Sequence, residues 1–163
     1  ADWHTEVVEL QEVIEQALSS AEPSMRERGI QAELDLDAQP AHVWGDRDRL
    51  MQVLVNLLSN GIKYAPAHTG HVRVELYPVE THWRVCVSDN GPGIPATDLD
   101  LVFEKFHQAA IDGDKQANGT GLGLHICRQI IDNLGGRIWA VCRDQPGASL
   151  CFDLPAHSAP LHA

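Results

Sequence analysis

No apolar run in the 163-residue chain approaches the roughly 20 residues of a membrane span, and no signal peptide is visible. Positive charge is scarce: 12 Lys and Arg stand against 23 Asp and Glu, a formal net charge of −11. Such a surface repels nucleic acid and anionic membranes, so an anionic ligand must be held by local devices. The four cysteines, Cys86, Cys127, Cys142 and Cys151, form no C-x-x-C pair, and the nine histidines show no H-E-x-x-H spacing. Both absences argue against a zinc site or a redox motif. Three of the cysteines fall in strand-like stretches and one in a helical stretch, and all are expected to be small core residues in a reducing cytosol. There is no internal repeat.

What is present suits one domain with a sizeable core: 163 residues, 44% of them apolar. "TEVVELQEVIEQALSSAEPSMRER" reads as a helix, broken near Pro23. "IQAELDLD" alternates as a strand does, with "HVWG" as a short partner to it. "DRDRLMQVLVNLLSNGIKYA" is a strong helical pattern, with Asp46 as N-cap and Pro66 ending it. "HVRVELYPVETHWRVCVSDN" is two strands and a turn, and "PATDLDLVFEKF" holds a short helix. "HQAAIDGDKQANGTG" reads as a mobile loop, and "LGLHICRQIIDNLGG" as a helix closed by Gly135 and Gly136. "RIWAVCRDQPGASLCFDLP" reads as a terminal hairpin. Helices and hairpins together predict an α/β (α+β) two-layer sandwich, with about three helices on one face of a mixed, mostly antiparallel sheet of about five strands. The domain is expected to occupy 1–155, with 156–163 a flexible tail or linker.

Three stretches carry chemistry. In "NGTGLGL" no Gly-Lys-Ser/Thr follows, so it is not a P-loop, and G-x-G-x-G after polar residues is not a dinucleotide fingerprint. Glycines before a helix still either admit an anion to backbone N–H groups or simply make a turn. In "QVLVNLLSNGIKYAP", Asn56, Asn60 and Lys63 share a helical face distinct from that of Leu50, Val53, Leu54, Leu57 and Leu58. That face either meets Mg²⁺ and phosphate or is a solvated polar surface. In "RVCVSDNGPGIP", Asp89 shares strand parity with Val85 and Val87. It is either a carboxylate at an apolar pocket edge, suited to an adenine amine, or part of a type I turn.

Taken in this order, "NLLSNGIKYAP", "DNGPGI", "VFEKF" and "GTGLGL" resemble the N, first glycine, F and second glycine boxes of the catalytic ATP-binding domain of sensor histidine kinases. That domain belongs to the Bergerat-type superfamily that also includes gyrase, the mismatch-repair ATPases and a heat-shock chaperone. "GGRIWA" and "GASLCFDLP" resemble the closing hairpin, so the likeness runs from about Thr5 to Pro155.

The resemblance implies ATP and Mg as cofactors. Asn60 matches the metal ligand, Asn56 supports metal and phosphates, and Lys63 and Tyr64 approach the phosphates and nucleotide. Asp89 reads the adenine amine above Gly91, Gly93 and Ile94. Phe103 and Phe106 anchor a mobile ATP lid from Phe103 to Gly121. Gly119, Gly121 and Gly123 match the glycines that close over the phosphates, Leu122 and Leu124 match lid and pocket residues, and Thr120 is counted with them as ATP-binding. Two positions depart from the pattern. Gly61 replaces an alanine, loosening the helix by up to about 1 kcal/mol. Gln108 stands where many relatives carry an arginine; Lys105 or Lys115 supplies that charge, or both are solvated lid lysines.

ATPase relatives carry a glutamate at position 56 that activates water, and Asn56 cannot accept that proton. The γ-phosphate is therefore expected to go to a histidine on a separate helical-hairpin domain of a parent kinase, with a response regulator downstream. The chain contains no H-E-x-R phosphoacceptor stretch, so it reads as an excised, monomeric, cytoplasmic domain. It contacts neither nucleic acid nor membrane and does not phosphorylate itself efficiently. The alternatives are a serine/threonine kinase of anti-sigma type and a nucleotide-binding module without phosphotransfer.

Overall fold

The computed structural model describes residues 2–105 and 123–157. A five-stranded sheet carries one layer of helices. Strands β2 (Gln31–Leu36), β4 (His71–Val79), β5 (His82–Asp89), β6 (Arg137–Cys142) and β7 (Ala148–Pro155) run in the order β2-β4-β5-β7-β6. The β2–β4 pair is parallel and the other pairs are antiparallel, which makes the sheet mixed as expected. Helices α1 (Leu10–Arg28), α2 (Arg47–Tyr64) and α3 (Gly123–Asn133) cover one face. Leu10, Val13, Ile14 and Ala17 of α1 recur at helical spacing and are fully buried. Leu50, Val53, Leu54, Leu57 and Leu58 of α2 meet them and the inward strand residues Val74, Leu76, Val85 and Phe152 in one core.

Four expectations are corrected. The first helix does not begin at Thr5: Glu6–Glu9 forms β1, and α1 starts at Leu10. Val7 and Val8 favour extended backbone, and Val8 buries its side chain as the partner of Val43. The segment "HVWG" (β3, His42–Gly45) pairs with that strand, forming a separate two-stranded ribbon instead of joining β2. Pro23 does not break α1, which continues through it to Arg28. Gly29 stops the helix: at φ 68° it turns left-handed, and Ile30 N–H donates to Met25 O at 2.8 Å. Finally, Cys86 and Cys151 are not two separate thiols. They are register partners on β5 and β7, with Cα atoms 4.1 Å apart, and are joined as a disulfide on the face away from the helices. Strand alternation puts both side chains on that face at the close spacing of a cross-strand pair. Cys127 is a buried thiol whose pKa burial pushes up to about 12, so it stays protonated; Cys142 is exposed.

The segment Pro95–Lys105 holds only a short 3-10 turn, Ala96–Asp98, before looser turns. Ala156 N–H donates to Thr81 O at 2.9 Å and His157 N–H to His42 O at 2.8 Å, so these two residues are held against the domain. The lid stretch 106–122 and residues 158–163 lie outside the described residues.

Asp46 caps α2 as the sequence predicts, accepting from Arg49 N–H at 3.1 Å and from His4 N–H at 2.8 Å. Burial pushes its carboxyl up, but the N–H groups of His4, Arg49 and Asp48, with the Arg49 charge, hold it below the ordinary carboxylate value. Asp46→Ala should cost about 1 kcal/mol, as lost N-caps do, read as a lower urea midpoint at unchanged slope. Because the folded pKa is the lower one, the native cap's contribution is present at neutral pH and disappears as pH falls through that value.

Candidate functional site

The second half of α2, the end of β5, the loop after it and the start of α3 converge. Helix periodicity turns Asn56, Asn60 and Lys63 away from the leucine face, Tyr64 ends the helix, and all four side chains are part-buried. Asn56 Nδ2 donates to Gly123 O at 3.3 Å, which joins α2 to the first residue of α3. The Lys63 ammonium lies 5.1 Å from the Tyr64 ring centroid. His125 Nδ1 lies 3.3 Å from the carbonyl of Phe103, whose ring is buried. Leu124 and Ile94 pack against the core margin.

Asp89 ends β5 and is only 7% exposed. Val85, Val87 and Asp89 face the helices, in keeping with the shared parity read from sequence. Its carboxylate accepts from Gly91 N–H at 2.8 Å. Burial is the larger influence and raises its pKa; the Gly91 and Ala148 N–H groups and the Arg143 charge oppose it without cancelling it. A buried carboxylate with remaining acceptor capacity is matched to a neutral donor such as an exocyclic amine.

The glycines here are dictated by contact. A Cβ on Gly91 would run into the Tyr64 carbonyl, and Gly93 sits at φ 89° against Gly147 O. Gly61 differs: a Cβ there would rest 3.4 Å from Val72 Cγ2 and 3.9 Å from Asp89 Cβ, ordinary packing distances. Gly61→Ala is therefore expected to stabilise the domain by up to about 1 kcal/mol, as helix propensity dictates. A thermal-unfolding midpoint at or below that of the native protein would contradict this.

Asn56, Asn60, Lys63, Tyr64, Asp89, Gly91, Gly93, Ile94, Phe103, Gly123 and Leu124 all lie on these elements. Phe106, Gly119, Thr120, Gly121 and Leu122, with Gln108 and Lys115, lie outside the described residues. The sequence reading missed Arg143, whose Nη1 donates to Asp89 O at 2.7 Å, and Gly147, whose Cα packs against the same carbonyl. "RDQPG" announced only a turn; the one available signal was a glycine just before the last strand.

The histidine kinase-, DNA gyrase B- and HSP90-like ATPase family matches residues 45–158. The chain belongs to this family. Within it the likeness is to histidine kinases. The adaptive-response sensory kinase SasA of Synechocystis sp. is 31% identical over 154 residues, 94% of this chain and 40% of that protein. The chain thus spans well under half the length of this curated relative. The solved structure of the mycobacterial sensor histidine kinase MprB superposes with a TM-score of 0.81 at 33% identity, covering 94% of this chain and 99% of that one. The histidine kinase ThkA, solved in complex with the response regulator protein TrrA, gives a TM-score of 0.79 at 30% identity over 93% of this chain and 42% of that one. The two-layer sandwich is therefore that of a histidine-kinase ATP-binding catalytic domain. No helix among the described residues is long and apolar enough to cross a membrane.

Proposed function

We propose that the domain binds Mg-ATP between α2, the end of β5 and the start of α3, and delivers the γ-phosphate to a histidine on a separate hairpin domain of a parent kinase. The observation that carries this reading is Asn56. It occupies the α2 position from which a carboxylate would activate water, and its amide is engaged with Gly123 O instead. An amide has no basic site at neutral pH, so water attack gains no help and the phosphoryl group is kept for a protein acceptor.

The residues fit the magnesium ion as well as the nucleotide. Among the described residues no cluster of three His, Cys, Asp or Glu side chains is available to a metal. That suits an ion arriving with phosphates, which needs one or two neutral oxygen ligands from protein. Asn60 would hold it, with Asn56 one turn away. Bound there, it would neutralise phosphate charge. Lys63 meets phosphate as a point charge, Asp89 orients the base, and backbone N–H groups at the start of α3 face the anion. ThkA's capture with a response regulator supports the same partner class downstream of this domain's parent. A cytoplasmic, monomeric catalytic domain fits this role.

The test supplies the domain, Mg and γ-labelled ATP to the parent's hairpin domain. An acid-labile, base-stable phosphohistidine is expected. An acid-stable phosphoserine would indicate an anti-sigma-type kinase. Tight Mg-ATP binding without transfer would indicate a nucleotide-binding module.

A further inference from the structure

We infer that Arg143, in the turn between β6 and β7, is the positioning residue that sets the carboxylate of Asp89 for base recognition. The inference rests on Asp89 being the adenine-reading group. Asp89 lies one residue beyond the last β5–β7 register pair, Ser88–Ser149, so strand pairing with β7 no longer holds it. The turn takes over that task. Arg143 Nη1 donates to Asp89 O at 2.7 Å and to Pro146 O at 3.4 Å, tying the turn to itself and to the strand end. Gly147, at φ 113°, brings its Cα against the Asp89 carbonyl, where any Cβ would collide. The Ala148 N–H bonds to Asp89, and the Arg143 charge favours its ionised form.

Gly91 N–H, at 2.8 Å, holds the carboxylate oxygen itself, whereas Arg143 holds the backbone behind it. Helix α2 offers Gly61 beside the Asp89 Cβ, and β4 offers Val72 as its register partner. Arg143 therefore combines two effects on one residue. It pins the backbone from which the carboxylate projects, and it keeps an acceptor charged in a buried place. Arg143 itself need not touch the nucleotide.

The experiment compares ATP with purine riboside triphosphate, which lacks the 6-amino group, by calorimetric titration of the whole domain. The native protein should prefer ATP. Arg143→Met should reduce that preference roughly tenfold, the scale of one charge-assisted hydrogen bond, while affinity for the analogue holds. Arg143→Lys should restore much of the preference, because a single nitrogen makes both bonds. If the methionine variant does not fold, Arg143→Gln, whose shorter amide falls short of Asp89, carries the same comparison. An unchanged ATP-to-analogue ratio, or an equal loss of both nucleotides, would overturn the inference. Asp89→Asn is titrated alongside. If its ratio also persists, the reading of Asp89 fails; if its ratio collapses while that of Arg143→Met persists, only the role of Arg143 fails.

Discussion

Asn60→Ala should abolish Mg-dependent nucleotide binding and leave the fold intact. The two halves of that expectation come from opposite sides of α2. The helix is held by Leu50, Val53, Leu54, Leu57 and Leu58, all essentially inaccessible, whereas the Asn60 side chain is part-buried on the site face. Alanine is the better helix former, so the exchange should cost the helix nothing and favour it by a few tenths of a kcal/mol. Binding behaves differently. A magnesium ion carried on phosphates takes few protein ligands, and removing one leaves water to replace a preorganised oxygen. The loss should be on the order of 100-fold in Mg-ATP affinity, near 2.7 kcal/mol, with little change in the weak binding seen in chelator. Calorimetric titration with and without Mg reads both quantities. Unchanged Mg-ATP affinity in the variant removes Asn60 from the metal site.

Asp89 should have the second largest effect, and it separates base recognition from phosphate binding. In Asp89→Ala the N–H groups of Gly91 and Ala148 lose their acceptor in a buried place, so stability falls by about 1–3 kcal/mol along with ATP affinity. Asp89→Asn is the cleaner variant. Its carbonyl oxygen still accepts, while its amide presents a donor where the adenine amine presents another. ATP should bind about 10- to 100-fold more weakly, with the preference for ATP over GTP lost. Equal affinity of the native domain for ATP and GTP would end the role given to Asp89.

The pH dependence follows from the raised carboxyl pKa, which has burial as its first cause. ATP affinity should fall on acidification with an inflection above the ordinary carboxylate value, because only the ionised form accepts freely from the amine. The nucleotide's own titration is common to native protein and Asp89→Asn, so the difference between their profiles isolates Asp89. Stability moves the other way. With the folded pKa above the unfolded one, the folded state binds more protons in the window between them, and stability contributed by Asp89 declines as pH rises through it.

Much of the site was legible because its pieces are local. The face holding Asn56, Asn60 and Lys63 follows from helical period, and the inward direction of Asp89 follows from strand period. The Asp46 cap was readable three residues ahead of Arg49, whose N–H it holds. What was not legible depends on residues far apart in the chain. The bond from Asn56 to Gly123 spans 67 positions and that from Arg143 to Asp89 spans 54. Neither leaves a periodic trace. The valine pair Val7–Val8 was absorbed into a helical pattern because four residues suit either period, and only the partner strand decided between them.

The sequence by itself determined the two-layer class, the helix that bears the asparagines, the strand that ends in Asp89, and the choice of amide over carboxylate at position 56. These depend on local periodicity and on side-chain chemistry that no packing alters. Tertiary structure alone decided which strands pair, that Cys86 faces Cys151, and that a turn from the far end of the chain closes on Asp89. Those contacts join segments whose own patterns are satisfied by many arrangements. Only burying one common core, and meeting the backbone groups left over at its edges, selects among them.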